Sequence, residues 1–304
     1  MTSDAPRQPA AARYPRAAAG SRRAEPRRRA TRPRPPLALA IPGVPALAFL
    51  VAPFVALVAS APGGEMTSLL DDGPAAEALW LSLRPASLSA VLCVVLGVPL
   101  AWLLAHDALP LPGLVRALVT MPMVLPPVVG GVALLALLGR RGLLGEHLDA
   151  WFGVQLPFTT AAVVVAQTFV ALPFLVISVD AALRAVDPRL AQVAASLGGS
   201  RWYVFRRVTL PVVAPGVAAG AVLAFARALG EFGATITFAG NFPGVTRTMP
   251  VAIYLALERD RATAVALSLV LVAVSLVVLV ALRSRWLGGL AGLAARGVEM
   301  AGAR

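Results

Sequence analysis

Apolar residues in this chain come in long blocks rather than in alternation or in one-sided helical stripes. Six blocks stand out, near Leu37 to Ser60, Leu83 to Ala105, Leu114 to Leu138, Thr159 to Leu183, Leu210 to Leu229 and Ala262 to Leu282. Each is close to the roughly 20 residues that carry a helix across a hydrocarbon layer about 30 Å thick. A helix apolar on every side is surrounded by protein core or lipid, so the pattern predicts an all-α membrane protein with six transmembrane helices. A further apolar piece, Met249 to Leu257, is too short to cross and reads as a re-entrant or interfacial helix. Prolines lie inside most blocks, at Pro42, Pro45, Pro53, Pro99, Pro122, Pro126, Pro127, Pro173 and Pro215. Packed spans tolerate them because neighbouring groups satisfy the freed carbonyls.

Composition agrees: 58% of the 304 residues are hydrophobic and 14% charged, against roughly 45–50% apolar in a soluble domain. The net charge of +12 raises the question of a nucleic-acid partner. Ten arginines precede Leu37, most of the others flank apolar blocks, and lysine is absent, a placement that the positive-inside effect explains without nucleic acid. Residues 1–36, rich in Arg, Ala and Pro, are expected to be a disordered cytoplasmic tail meeting anionic lipid headgroups. Ala59-Ser60-Ala61 offers an A-x-A site, but the apolar run before it is longer than a signal segment of roughly 7–15 residues, so cleavage is not expected. Glu65, Asp71, Asp72 and Glu77 follow the first block, which puts that loop outside and the N-terminus in the cytoplasm. Six crossings then return Arg283 and Arg285 to the cytoplasm, although Arg140 and Arg141 run against the rule. Cys93 is the lone cysteine, and His106 and His147 are far apart with no other ligand at metal spacing. An internal disulfide is excluded and no metal site is expected.

Between the fourth and fifth blocks lies QVAASLGGSRWYVFRRVTLP, Gln192 to Pro211. Asp187-Pro188 just upstream has the form of a helix cap followed by proline at the first helical position. Leu190, Val193 and Leu197 then give one apolar face, Gly198-Gly199 a stop, and Ser200 a cap for a second short helix carrying Trp202, Phe205 and Val208 on one side and Arg201 and Arg206 elsewhere. The expectation is a bent pair of amphipathic helices on the cytoplasmic face. Two readings fit the residues alone: an interfacial anchor against lipid, or a docking element for a soluble partner, with apolar side chains filling a groove and arginines at its rim.

This loop resembles that of bacterial ABC importer permeases, E-A-A-x3-G-x9-I-x-L-P, which forms the helix coupling the membrane subunit to its ATPase. Gln192, Val193, Ala194, Gly198, Val208, Leu210 and Pro211 fall at that spacing, with Gln192 and Val193 in place of Glu and Ala and Val208 in place of Ile. LGVPLAWLLA in the second block, MPMVLPPVVGGVALL in the third and AQTFVALPFLV in the fourth look like the corresponding spans of type-I importers. The resemblance implies a type-I transmembrane domain over 76–282, preceded by a first helix and external loop (37–75) and followed by a cytoplasmic tail (283–304). It implies an ATPase-coupling role for Gln192, Ala194, Leu197, Gly198, Arg201, Trp202, Phe205, Arg206, Leu210 and Pro211.

The stretch from Ala226 to Glu258, ARALGEFGATITFAGNFPGVTRTMPVAIYLALE, is similar to the molybdate permease branch, and Phe232-Gly233-Ala234-Thr235 favours that branch over the similar sulfate permeases. Arg227 and Glu231 stand four apart on one helical face, either as an interfacial pair at the end of the span or as a functional pair at depth. Thr235, Thr237 and Asn241 add uncharged polar groups that suit passing contact with a tetrahedral oxyanion, so these five are the translocation-path candidates. The implied assembly is a homodimer in the bacterial cytoplasmic membrane, served by an ABC ATPase subunit and an extracytoplasmic molybdate-binding protein. The chain lacks GxxxxGK[ST], so ATP and Mg belong to the ATPase, and no cofactor and no enzymatic role are expected here. Tungstate or sulfate permeases, and a proton-coupled secondary transporter of which only Glu231 gives a hint, are the alternatives.

Overall fold

The computed structural model describes residues 37–63 and 73–280, and the chain divides into two compact units, Met1–Val51 and Ala52–Arg304. The expected tails, the acidic stretch at 64–72 and the last residues of the sixth block lie outside the described residues. The first block forms α1, Leu37–Ala59, as its pattern requires. No strand occurs among the described residues.

In the second unit, α2 (Gly73–Ala105) is a 33-residue helix with Pro85 and Pro99 inside it, about 50 Å long at 1.5 Å per residue. It begins ten residues earlier than the apolar block because Ala75 and Ala78 bury against Met249 and Leu267, a contact that the block's own pattern does not reveal. Helices α3 (Pro112–Val124) and α4 (Pro127–Leu138) follow, then the short α5 (Gly145–Phe152) and α6 (Thr160–Arg184). After the loop come α7 (Pro188–Ser196), α8 (Arg201–Val204), a π-helical turn at Phe205–Thr209 and α9 (Leu210–Leu229). The chain closes with α10 (Gly233–Phe238), α11 (Met249–Leu257) and α12, described over Arg261–Val280. The short apolar piece expected as a non-crossing helix is therefore α11. Asp260 caps α12; its carboxyl is held below the usual carboxylate range by the Thr263 hydroxyl and by the backbone N–H groups of Thr263 and Ala262.

Three helices, α2, α6 and α9, pack mutually and make the main core. Its buried residues are mostly small, with Ala86, Cys93 and Ala101 from α2, Ala171 and Val179 from α6, and Val213, Ala224 and Ala228 from α9. Small side chains let backbones approach closely, which is how helices gain contact where lipid is as apolar as the interface. The Ser178 hydroxyl donates to the Gly216 carbonyl at 3.0 Å, which fixes the antiparallel register of α6 and α9. The end of the bundle holding Leu104 and Arg184 is here termed lower, and the end holding Ala75 and Thr160 upper.

The third block is not one straight span. Helices α3 and α4 meet at a bend of 116° because Leu125 and Pro126 are both extended, with ψ of 139° and 131°. A residue before proline is pushed out of the helical region, and Leu125-Pro126-Pro127 imposes this twice. The pair still runs from end to end. Arg116 in α3 donates to the Leu104 carbonyl at the lower end, while Leu134 in α4 packs in one cluster with Ala162 and Val163 at the upper end. Among the described residues five helices are long and apolar enough to cross a membrane, and this broken pair makes six where it counts as one span.

Candidate functional site

The loop after α6 is built from local signals. Asp187 caps α7 by accepting from the Arg189 N–H at 2.9 Å, and Ser200 caps α8 by accepting from the Tyr203 N–H at 3.2 Å. The stop between them is a Schellman turn: the N–H of Gly198 bonds to the Ala195 carbonyl and that of Gly199 to the Ala194 carbonyl. This turn places Gly198 at φ +85°, a left-handed conformation that costs an ordinary residue about 1–2 kcal/mol. With its backbone satisfied, the element presents its apolar side chains outward. Leu197 is 83% exposed and Trp202 68%, and Leu190, Val193 and Tyr203 are exposed as well.

One expectation is corrected here. The second helix does not end before Leu210-Pro211 but continues through the π turn into α9, giving one helix over Arg201–Leu229. The Leu210 N–H bonds to the Phe205 carbonyl, five residues back. Pro211 has no N–H and its ring crowds the carbonyl four residues before it, and the wider π turn accommodates both without breaking the helix.

The element rests on the lower end of α2. Trp202 stacks on Phe205 with ring centroids 5.6 Å apart, Phe205 meets Trp102 edge-on at 6.4 Å, and Trp102 stacks on His106 at 4.3 Å. Gln192 lines a cavity of about 310 Å³ with Trp102, His106 and Phe205, and its side chain makes no hydrogen bond among the described residues. Beside this stack, Arg116 of α3 and Arg184 of α6 both donate to the Leu104 carbonyl at 2.9 Å, and each is paired to an aspartate, Asp107 or Asp180. The last carbonyls of a helix carry partial negative charge and no intrahelical partner, so the two guanidiniums fasten three helices at one point.

A second constellation lies where α9 ends. Helix α9 stops at Leu229, Gly230 to Phe232 are not helical, and α10 resumes at Gly233. Glu231 is 1% exposed; it pairs with Arg227 at 2.6 Å and accepts from the Ala234 N–H at 2.8 Å. The carboxylate thus pairs with the arginine and caps α10, with Glu231 enclosed by protein and Arg227 partly exposed. The α3–α4 bend sits against this break. A Cβ added to Gly131 would lie 2.7 Å from Thr237 Cβ, and one at Gly233 would lie 2.8 Å from Pro127 Cβ. Irregular backbone at membrane depth is tolerated only when protein covers it or when it lines a cavity.

Among the path candidates, Arg227, Glu231 and Thr235 meet at this break. Thr235 is fully buried and its hydroxyl has no partner among the described residues. Thr237 donates to its own helix at the Gly233 carbonyl, and Asn241 accepts from Arg247 Nε at 2.8 Å in the upper-end loop. Sequence reasoning passed over Gln167, fully buried in α6 with neither amide atom hydrogen-bonded, and over the aromatic pair Trp102 and His106. A lone Gln inside the apolar run VVVAQTFVALPF was the available signal for the first; nothing local marked the second.

The chain matches the family model described as binding-protein-dependent transport system inner membrane component over residues 94–288. It is 49% identical to the molybdenum transport system permease protein ModB of Mycobacterium tuberculosis, over 72% of this chain and 83% of that protein. With the ModB of Escherichia coli K12 it shares 41% identity over 70% of this chain and 93% of that protein. A solved bacterial alginate ABC transporter, bound to its periplasmic protein with an alginate pentasaccharide, has a chain that superimposes with a TM-score of 0.67 at 20% identity, over 81% of this chain and 91% of that one. The fold of the described helices is accordingly that of an ABC importer transmembrane subunit, and by sequence the chain belongs to the binding-protein-dependent inner-membrane permeases, in the branch of the molybdenum transport permeases.

Proposed function

We propose that this chain is the permease subunit of an ATP-driven molybdate importer, forming the pathway as a homodimer and drawing its energy from a separate ATPase subunit. The observation that carries the coupling role is the outward apolar face of α7 and α8, where Leu190, Val193, Leu197 and Trp202 stand exposed on a fully capped backbone. A soluble partner's groove satisfies such a face, and Arg201, Arg206 and Arg207 around it supply rim charges. The lower end is then cytoplasmic, and the arginine-rich sequence before the first block and the acidic residues after it assign the N-terminus to the cytoplasm. ATP and Mg reside on the ATPase, and a binding protein delivers the anion at the upper end. Membrane lipid surrounds the crossings. Molybdate as substrate follows from the relatives named above and from the residues of the α9–α11 stretch.

Reconstitution tests this directly. Proteoliposomes holding this chain, its ATPase and its binding protein are expected to take up labelled molybdate only with ATP, with sulfate a weak competitor. Gly198→Pro removes an N–H donor and forces φ near −65° where +85° is needed, so uptake is expected to be lost. Coupled uptake retained in that variant, or uptake independent of ATP, overturns the proposal.

A further inference from the structure

Gln167 and Thr235 have no use in the packing described so far. Both are fully buried, and the amide nitrogen, the amide oxygen and the hydroxyl lack any hydrogen-bond partner among the described residues. Buried polar groups left unpaired cost free energy, and each one calls for an explanation. Their positions supply one. Gln167 lies about three turns above Ser178 on the stripe of α6 that faces α9, and the same step along α9 from Gly216 and Gly220 reaches 227–231. The antiparallel register therefore sets Gln167 level with the Arg227–Glu231 pair and the break at Gly230–Phe232. Thr235 shares a face of α10 with Phe238 and Ala239, which pack in one cluster with Val163, Ala166 and Val170 of α6. The neighbours of Gln167 along α6 thus belong to the same seam.

We propose that Gln167 and Thr235 are the substrate-facing polar groups of the upper gate, stored in the α6–α10 seam here and turned to the passing oxyanion when the α9–α10 break opens. The inference rests on the importer reading and deepens it. The groups suit the task. An amide NH2 and a hydroxyl donate to oxyanion oxygens, while Glu231 keeps Arg227 neutralised, so nothing in the seam holds a dianion too tightly for release. The place suits it too. The break is three residues of non-helical chain, the α3–α4 bend lies against it, and hinges of this kind absorb the change when one element moves past another. In the closed seam the orphaned groups favour opening, because leaving it gives them partners.

The test uses the complete complex in proteoliposomes and compares Gln167→Leu and Thr235→Val with the wild type. Replacing an unpaired buried polar group by an apolar one of comparable size is expected to raise the melting temperature by about 2–4 °C while molybdate import falls roughly tenfold, as for one lost hydrogen bond to a charged group. A purely structural role predicts the reverse pairing, lower stability with import falling only as folded protein is lost. Accessibility gives an independent measure: Cys93 is the lone native cysteine and is buried, so Gln167→Cys in a Cys93→Ala background carries one reactive position. A small thiol reagent is expected to modify it with ATP trapped and binding protein present, and to leave it protected without nucleotide. Protection in both states, or unchanged import in both Leu and Val variants of an importing complex, overturns the inference. Absence of molybdate import by the wild type would instead count against the importer reading itself.

Discussion

At the lower end, α7 and α8 leave large apolar side chains exposed while every cap is satisfied; at the crossing of the α3–α4 bend and the α9–α10 break, apolar groups are closely packed and polar ones are buried without partners. The first arrangement is complete as a fold and incomplete as a surface. The second is complete as a surface and strained in its polar accounting. On the proposed reading, each kind of incompleteness marks a place where something else arrives: a soluble partner at the lower end, and an anion at the crossing.

Substitutions separate the two regions. The largest expected loss follows Glu231→Ala, which strips the partner from Arg227 and the cap from Ala234. Breaking a buried pair costs about 3–5 kcal/mol, and here the lower end applies because Arg227 keeps 27% exposure. A fall in folded yield and melting temperature reads this out, and Glu231→Gln, which still accepts from Ala234, should lose less. Gly131→Ala comes next. Its Cβ would meet Thr237 at 2.7 Å and the Ala234 carbonyl at 3.0 Å, an overpacking worth about 1–3 kcal/mol. The smallest stability change belongs to Trp202→Ala, expected within about 0.5 kcal/mol because the ring is mostly exposed. ATP-driven import should nonetheless fall with it. A Trp202→Ala protein as destabilised as Gly131→Ala would break the contrast, since the ring would then be part of the core.

How much of this was legible in the sequence depended on the range of the cause. The Asp187 and Ser200 caps, the Gly198 stop and α11 were readable because each rests on residues within a few positions of one another. The Arg227–Glu231 pair was readable as a spacing, but its burial was not, since that depends on α6 and α4 far along the chain. The α3–α4 bend was hidden by the apolar continuity of the third block: Pro126 and Pro127 were visible, yet prolines in four other blocks leave helices intact, and only the doubled proline with an extended Leu125 breaks this one. The continuity of α8 with α9 was missed for the opposite reason. Leu210-Pro211 looked like a boundary, and a π turn absorbed it. Gln167 was in plain view, but its significance comes from lacking a partner, which no single stretch of sequence can show.

The unbroken helix from Arg201 to Leu229 makes the two regions parts of a single lever. At 1.5 Å per residue it is about 43 Å long, so a tilt of roughly 5° about its middle displaces each end by about 2 Å, the scale on which packed helices switch between arrangements. One end of that lever carries Trp202; the other ends at the break that Glu231 caps. If the coupling and gating proposals hold, a push too small to unfold anything at the Trp202 tip would reach the break through this one helix, and the π turn near the tip is where stiffness, rather than contact, becomes the quantity to measure.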